Sequence, residues 1–228
     1  MDIILIPGLW LDGRAWDDVL PHIKGGGHNP LPMTLPGQGD GGPEATLDDQ
    51  LNALRSCLDS LDAPALVVGH SGHATLAWLG ADRMPDKVAG VAMVGGMPEA
   101  EGNPYFSGLK PTDGVLMFPG WEAFEGPDSD DIPHEMRDRI AAQMHGVPEG
   151  VVSAPVHYEN PDRHQIPVTM VCPEYSPEDA QEWLKAGHLP ELEQAQKLTY
   201  VDLDSGHWPM FSKPEAFGKA IVEIANSL

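Results

Sequence analysis

The sequence predicts an α/β protein: a mostly parallel sheet of about six strands, with helices on both faces and a small inserted cap. Three observations carry this expectation. Short continuous apolar runs alternate with apolar stripes at helical spacing, glycine or proline turns follow the runs directly, and one long stretch of different character interrupts the alternation. Such runs suit parallel strands covered on both faces, and repeated strand–helix units return over the sheet by right-handed crossovers.

Taken in order, Ile3-Ile4-Leu5-Ile6 is the first strand, closed by Pro7-Gly8. Trp16, Val19, Leu20 and Ile23 then recur at helical spacing until Gly25-Gly26-Gly27 breaks the pattern. A second strand is expected around Asn29 to Leu35, followed by the loop Pro36 to Pro43. Leu47, Leu51, Leu54, Leu58 and Leu61 lie on one helical stripe, opened by capping-box spacing between Thr46 and Asp49. Ala65 to Val68 reads as a central strand, Gly72 to Met84 as a helix and Val88 to Val94 as another apolar strand. Val168 to Cys172 and Leu198 to Val201 supply the last two strands. Pro214 to Ile224 is the closing helix, with Ser212 and Glu215 as its capping box.

Residues 96–165 are rich in Pro, Gly, Met and acidic side chains and are too long for a simple connection. They are expected to form a cap over a core made of residues 1–95 and 166–228. Within them a helix is expected near Pro133 to Met144, with Met136, Ile140 and Met144 on one face, either lining a pocket or packing.

Length and charge bound the function. At 228 residues the chain suits one domain, and 13 Lys and Arg against 35 Asp and Glu give a formal net charge of −22. So negative a surface repels nucleic acid and anionic lipid, and no run of Lys or Arg offers an exception. Cys57 and Cys172 fit no metal or redox spacing and read as buried thiols. The first residues have no basic region, and no apolar stretch approaches the roughly 18 residues of a membrane span, so the expected compartment is the cytoplasm. His70 and His73 have H-x-x-H spacing, but helical metal pairs usually stand four apart with a carboxylate between them. No loop has P-loop spacing. Neither metal nor cofactor is expected, and the sequence specifies no oligomeric state.

The informative segment is Leu66-Val67-Val68-Gly69-His70-Ser71-Gly72-His73-Ala74, a strand running into a helix with a serine at the junction. A serine on so sharp a turn projects past the strand ends, as a nucleophile must, although a plain helix N-cap serine has the same local sequence. A hydroxyl attacks poorly until an imidazole takes its proton. His207, in Asp204-Ser205-Gly206-His207-Trp208-Pro209 after the last strand, lies where open α/β sheets bind ligands. The turn Pro7-Gly8-Leu9-Trp10 ends the first strand, and the backbone N–H groups of Leu9 and Gly72 are candidate donors to an oxyanion. Trp10, Met97, Trp121 and Trp208 are candidate pocket walls.

On these residues the chain resembles the α/β-hydrolases over nearly its whole length. The resemblance is to the small-esterase branch that includes plant methyl esterases, hydroxynitrile lyases and cofactor-free haloperoxidase-like enzymes. It is carried by Pro7-Gly8-Leu9-Trp10 with Trp16, Leu35-Pro36-Gly37, Gly69-His70-Ser71, and Gly206-His207-Trp208-Pro209 with Pro214-Glu215. It implies a triad in the order serine, acid, histidine and a sheet that opens in the oxyanion strand without a leading hairpin. It also implies cleavage of a small, largely uncharged ester through an acyl-enzyme.

The chain departs from that pattern in four places. Pro7-Gly8 stands where the family usually has His-Gly, which leaves the Leu9 donor in place. His73 replaces the last glycine of G-x-S-x-G, which risks crowding in the turn, so it is either a substrate contact or second proton relay, or an ordinary helix-face histidine. Trp208 stands where the lyases carry lysine, which disfavours cyanohydrin cleavage. The place of the family's aspartate falls on Ser176, which with Pro177 and Asp179 reads as a helix start. Glu174 is the nearest carboxylate on that loop and the expected acid, with Glu99 as the rival and a site with neither as the third alternative. The alternative from another class is a degenerate hydrolase that binds a small molecule without turnover.

Overall fold

The computed structural model describes residues 1–228. The main sheet takes β1 (Asp2–Ile6), β2 (Asn29–Pro32), β3 (Ala65–His70), β4 (Val88–Val94), β7 (Val168–Cys172) and β8 (Leu198–Asp202), all pairs parallel, in the order β2-β1-β3-β4-β7-β8. β5 (Val115–Leu116) and β6 (Val147–Pro148) form a separate antiparallel pair.

All six residues of β3 are buried, as the continuous apolar run requires of a strand covered on both faces. β2 is an edge strand and ends earlier than the apolar run suggests. Pro30 and Pro32 cannot donate to a ladder, and after Met33 N–H bonds to Leu5 O at 2.9 Å the chain leaves the sheet.

The principal helices are α1 (Leu20–Gly25), α2 (Leu47–Asp59), α3 (Ala74–Arg83), α4 (His134–Ala141), α5 (Glu149–Val152), α6 (Pro177–Lys185), α7 (Pro209–Ser212) and α8 (Pro214–Asn226). Trp16 closes a separate 3-10 turn instead of opening α1, because Pro21 restarts the helix in its first turn. α2 and α6 begin with complete capping boxes, Thr46 with Asp49 and Ser176 with Asp179. The expected Ser212–Glu215 box does not form. Ser212 closes α7, its Oγ donates back to Trp208 O at 3.4 Å, and Lys213 stands at the N-cap of α8 in the non-helical conformation that Pro214 imposes.

Two apolar clusters cover the faces of the sheet. The larger packs α2 and α3 with Leu51, Leu54, Trp78 and Met170; the other packs α1 and α8 with Trp16, Ile23, Phe217 and Ile221. Ile140 is buried and Met136 and Met144 pack beside these clusters, while Met136 and Ile140 also line a cleft of about 280 Å³ with Leu11, Arg14 and Phe211, away from Ser71. Cys172 is buried, but Cys57 on α2 is only half-buried, which corrects its reading as a core thiol. No helix is long and apolar enough to cross a membrane.

The strand order positions the site. β1 crosses outward to β2, and the chain then returns to β3 on the other side of β1. The loops after β1 and β3 therefore leave the sheet edge in opposite directions and open a crevice between them, where open α/β sheets bind ligands.

Candidate active site

Ser71 follows the last residue of β3 with φ +56°, a left-handed conformation that costs a non-glycine residue roughly 1–3 kcal/mol. Close packing holds it there. A Cβ on Gly96 would lie 2.3 Å from Ser71 O, and one on Gly69 would lie 2.5 Å from His73 O. The turn thus needs glycine at residue 69, where the backbone of His73 passes, and tolerates a side chain at residue 73. The His73 ring turns into the core, with Nε2 3.3 Å from Gln50 Oε1, and burial holds its pKa down to about 3. His73 lines no cavity beside Ser71.

His207 approaches from the loop after β8. Its Nε2 is 2.8 Å from Ser71 Oγ, and its Nδ1 is 2.6 Å from Glu174 Oε1 on the loop after β7. The order along the chain is serine, carboxylate, histidine. Glu174 reaches the imidazole because the loop after β4 leaves room: a Cβ on Gly95 would come within 3.1 Å of His207 Nδ1 and 3.3 Å of Glu174 Oε2. Glu99 does not join this group. Its carboxylate bonds Ser107 Oγ at 3.0 Å and Asn103 Nδ2 at 3.3 Å, on another side of Ser71.

Three contacts fix the His207 loop. Gly206 N–H donates to Asp131 Oδ2 and His207 N–H to Asp128 O, both at 2.7 Å, and His70 Nε2 lies 2.7 Å from His207 O. The ring of His70 is wholly buried, which holds its pKa well below the ordinary histidine value, with the neighbouring His207 adding to the effect. A neutral His70 with its proton on Nε2 donates to that carbonyl. Burial likewise raises Asp128.

The loop after β1 has its own support. Gln38 Nε2 donates to Gly8 O at 3.2 Å and Leu11 O at 3.0 Å, and Gln50 Nε2 donates to Pro36 O at 2.9 Å. Burial pushes the Asp12 carboxyl up, but hydrogen bonds from Arg14 and His145 outweigh it and hold Asp12 at about 2. His145 N–H also donates to Trp10 O at 2.8 Å.

A cavity of about 340 Å³ opens beside Ser71 and His207, walled by Leu9, Trp10, Phe106, Leu109, Phe124 and Trp208. A smaller cleft of about 190 Å³ meets Ser71 from another side and includes Met97 and Glu99. Of the expected walls, Trp10 and Trp208 line the larger cavity and Met97 the smaller. Trp121 lines neither. Its indole N–H donates to Arg137 O at 3.0 Å, and its ring meets the Trp208 ring edge-on at 5.0 Å, so it backs the wall from behind. No group of three or more His, Cys, Asp or Glu side chains is arranged to hold a metal ion. Sequence reasoning missed Gln38, Gln50, Asp128 and Asp131. Gln50 alone carries a signal, as a polar residue on the apolar stripe of α2.

With this geometry in place, comparison with known proteins assigns the family. A model described as "Alpha/beta hydrolase family" matches residues 3–220. The chain belongs to the alpha/beta hydrolase family. A pyrethroid hydrolase from Sphingobium wenxiniae is 35% identical over 95 residues, which are 40% of this chain and 34% of that protein, so the matching stretch spans about a third of that relative's length. Among solved structures, the methylesterase MES16 from Arabidopsis superimposes with a TM-score of 0.79 at 17% identity, covering 100% of both chains. A pyrethroid hydrolase from Sphingobium faniae JZ-2 superimposes with a TM-score of 0.73 at 22% identity, covering 100% of this chain and 98% of that one. These structural likenesses concern the fold.

Proposed function

We propose that the protein is a serine carboxylesterase acting on a small ester whose larger part is uncharged and apolar. The observation that carries this reading is the continuous relay from Ser71 Oγ through the His207 ring to Glu174, at 2.8 Å and 2.6 Å, opening on a cavity walled by aromatic and aliphatic side chains.

Ser71 Oγ attacks the acyl carbon as His207 Nε2 takes its proton. The carbonyl oxygen becomes an oxyanion facing the N–H groups of Leu9 and Gly72. A Cβ on Gly72 would lie 3.1 Å from Leu9 Cδ1, so the two residues adjoin beside Ser71. Donors of this kind are worth roughly 3–4 kcal/mol each in the transition state. The imidazolium, oriented by Glu174, returns the proton to the departing alkoxide. Water, deprotonated by His207, then attacks the acyl-enzyme, releasing the acid and restoring Ser71. In this reading residues 96–165 act as a cap, since Phe106, Leu109, Ala123 and Phe124 come from that stretch and wall the cavity.

A fluorophosphonate probe tests the nucleophile. The wild type should label, and Ser71→Ala should abolish labelling and lower ester turnover by at least about ten-thousand-fold. An inert wild type would favour the binding protein without turnover. Comparing Glu174→Gln with Glu99→Gln tests the acid: a loss of several orders of magnitude confined to Glu99→Gln would overturn the assignment.

A further inference from the structure

The two spaces that meet at Ser71 differ in charge. Around the larger, the only titratable side chains are the imidazoles of His70 and His207. The smaller is lined by Gly72, Thr75, Gly96, Met97, Tyr105 and Phe106 among others, and Glu99 is its one charged group. We propose that this smaller cleft is a subsite for a cationic, alkylammonium-bearing part of the ester, held against Glu99 while the apolar cavity takes the uncharged part. The proposal rests on the ester-hydrolase reading above.

Glu99 is rigid but unneutralised. Its N–H donates to Thr75 Oγ1 at 3.0 Å on α3, the helix behind Ser71, and its carbonyl accepts from Tyr158 OH at 2.8 Å in the segment after α5, so its backbone is held from two sides. Its carboxylate receives only neutral donors, from Ser107 at 3.0 Å and Asn103 at 3.3 Å. No ion pair of the molecule involves it. A carboxylate offers about four acceptor positions, so two neutral donors leave room for a ligand.

Glu99 also has no part in orienting His207, because Glu174 already holds Nδ1. A cation entering the cleft meets this fixed negative charge together with the aromatic ring of Phe106 on the lining, the combination that favours quaternary ammonium groups. An anionic group there would face repulsion from Glu99 and from a chain of net charge −22. About 190 Å³ restricts the group to a compact ammonium.

The test uses two esters alike in shape and different in charge: benzoylcholine and neohexyl benzoate, in which carbon replaces the quaternary nitrogen. The wild-type kcat/KM ratio of cationic to uncharged ester should be about tenfold, and should fall toward unity in Glu99→Gln and in wild type at high salt. Choline should inhibit wild-type turnover of neohexyl benzoate about tenfold better than neohexyl alcohol does, a readout that needs no variant. A wild-type ratio near unity, or one unchanged by Glu99→Gln with no preference for choline, would overturn the subsite while leaving the esterase standing. Absence of both turnover and fluorophosphonate labelling would remove the esterase, and the subsite with it.

Discussion

Ser71 is held by packing, whereas His207, 2.8 Å away, is held by polar contacts that reach it from distant parts of the chain. Around the serine the determinants are steric: β3 is buried throughout, and Gly69 and Gly96 admit neighbouring backbone at distances no side chain could share. Around the histidine they are hydrogen bonds, with Asp128 and Asp131 holding the loop from within residues 96–165. His145, from the same stretch, holds the loop after β1 through Asp12 and Trp10 O. The sheet and the glycines that flank it therefore hold Ser71, and the long excursion between β4 and β7 adds polar contacts to the loops that carry His207 and Trp10.

The largest expected effect attacks the polar side directly. Glu174→Gln keeps the shape but presents an amide to Nδ1 and favours the wrong tautomer, so ester turnover should fall about a thousand- to ten-thousand-fold. Fluorophosphonate labelling should slow in parallel while the melting temperature changes little. A loss of under tenfold would mean that Glu174 does not orient the imidazole. Gly96→Ala attacks the packing side. With Ser71 O only 2.3 Å from the new Cβ, stability should drop by roughly 1–3 kcal/mol and turnover by about a hundredfold or more, read by denaturant unfolding and kinetics together.

Asp131→Ala should be milder. It leaves Gly206 N–H without its acceptor, so turnover should fall about tenfold with about 1–2 kcal/mol of stability lost. If Asp131→Ala matched Glu174→Gln, the contrast between the two sides would need redrawing. Asp12→Asn should have the smallest effect and a pH signature. A depressed carboxyl contributes stability that is complete above its ordinary value of 3.8 and is lost as pH falls to about 2. The variant should be about 1 kcal/mol less stable than wild type at neutral pH, and the gap should close near pH 2, measured by urea unfolding across that range.

The same contrast explains what the sequence made legible. β1, β3, β4 and β7 each announce themselves as an apolar run, because a strand buried on both faces needs nothing but apolar side chains. Ser71, Glu174 and His207 were legible as well: Ser71 and Glu174 stand just past two of these runs, β3 and β7, whereas His207 follows β8, a half-exposed edge strand. Asp131 and Gln38 were not. Their role depends on which loop they face across the fold, and a surface acid or a loop amide looks the same whether or not it finds a buried N–H or carbonyl. The Ser212–Glu215 box failed for a related reason: its spacing is right, but α7 ends on Ser212 and claims the hydroxyl for its own carbonyl.

The backbone twist at residue 71 has a consequence for how the protein is made. Nothing local pays for it, so a nascent or refolding chain leaves this serine relaxed until β4 has docked beside β3 and the following glycine pair has closed over it. Chemical reactivity should then lag behind the return of helical signal, which makes covalent labelling a clock for the completed centre of the sheet.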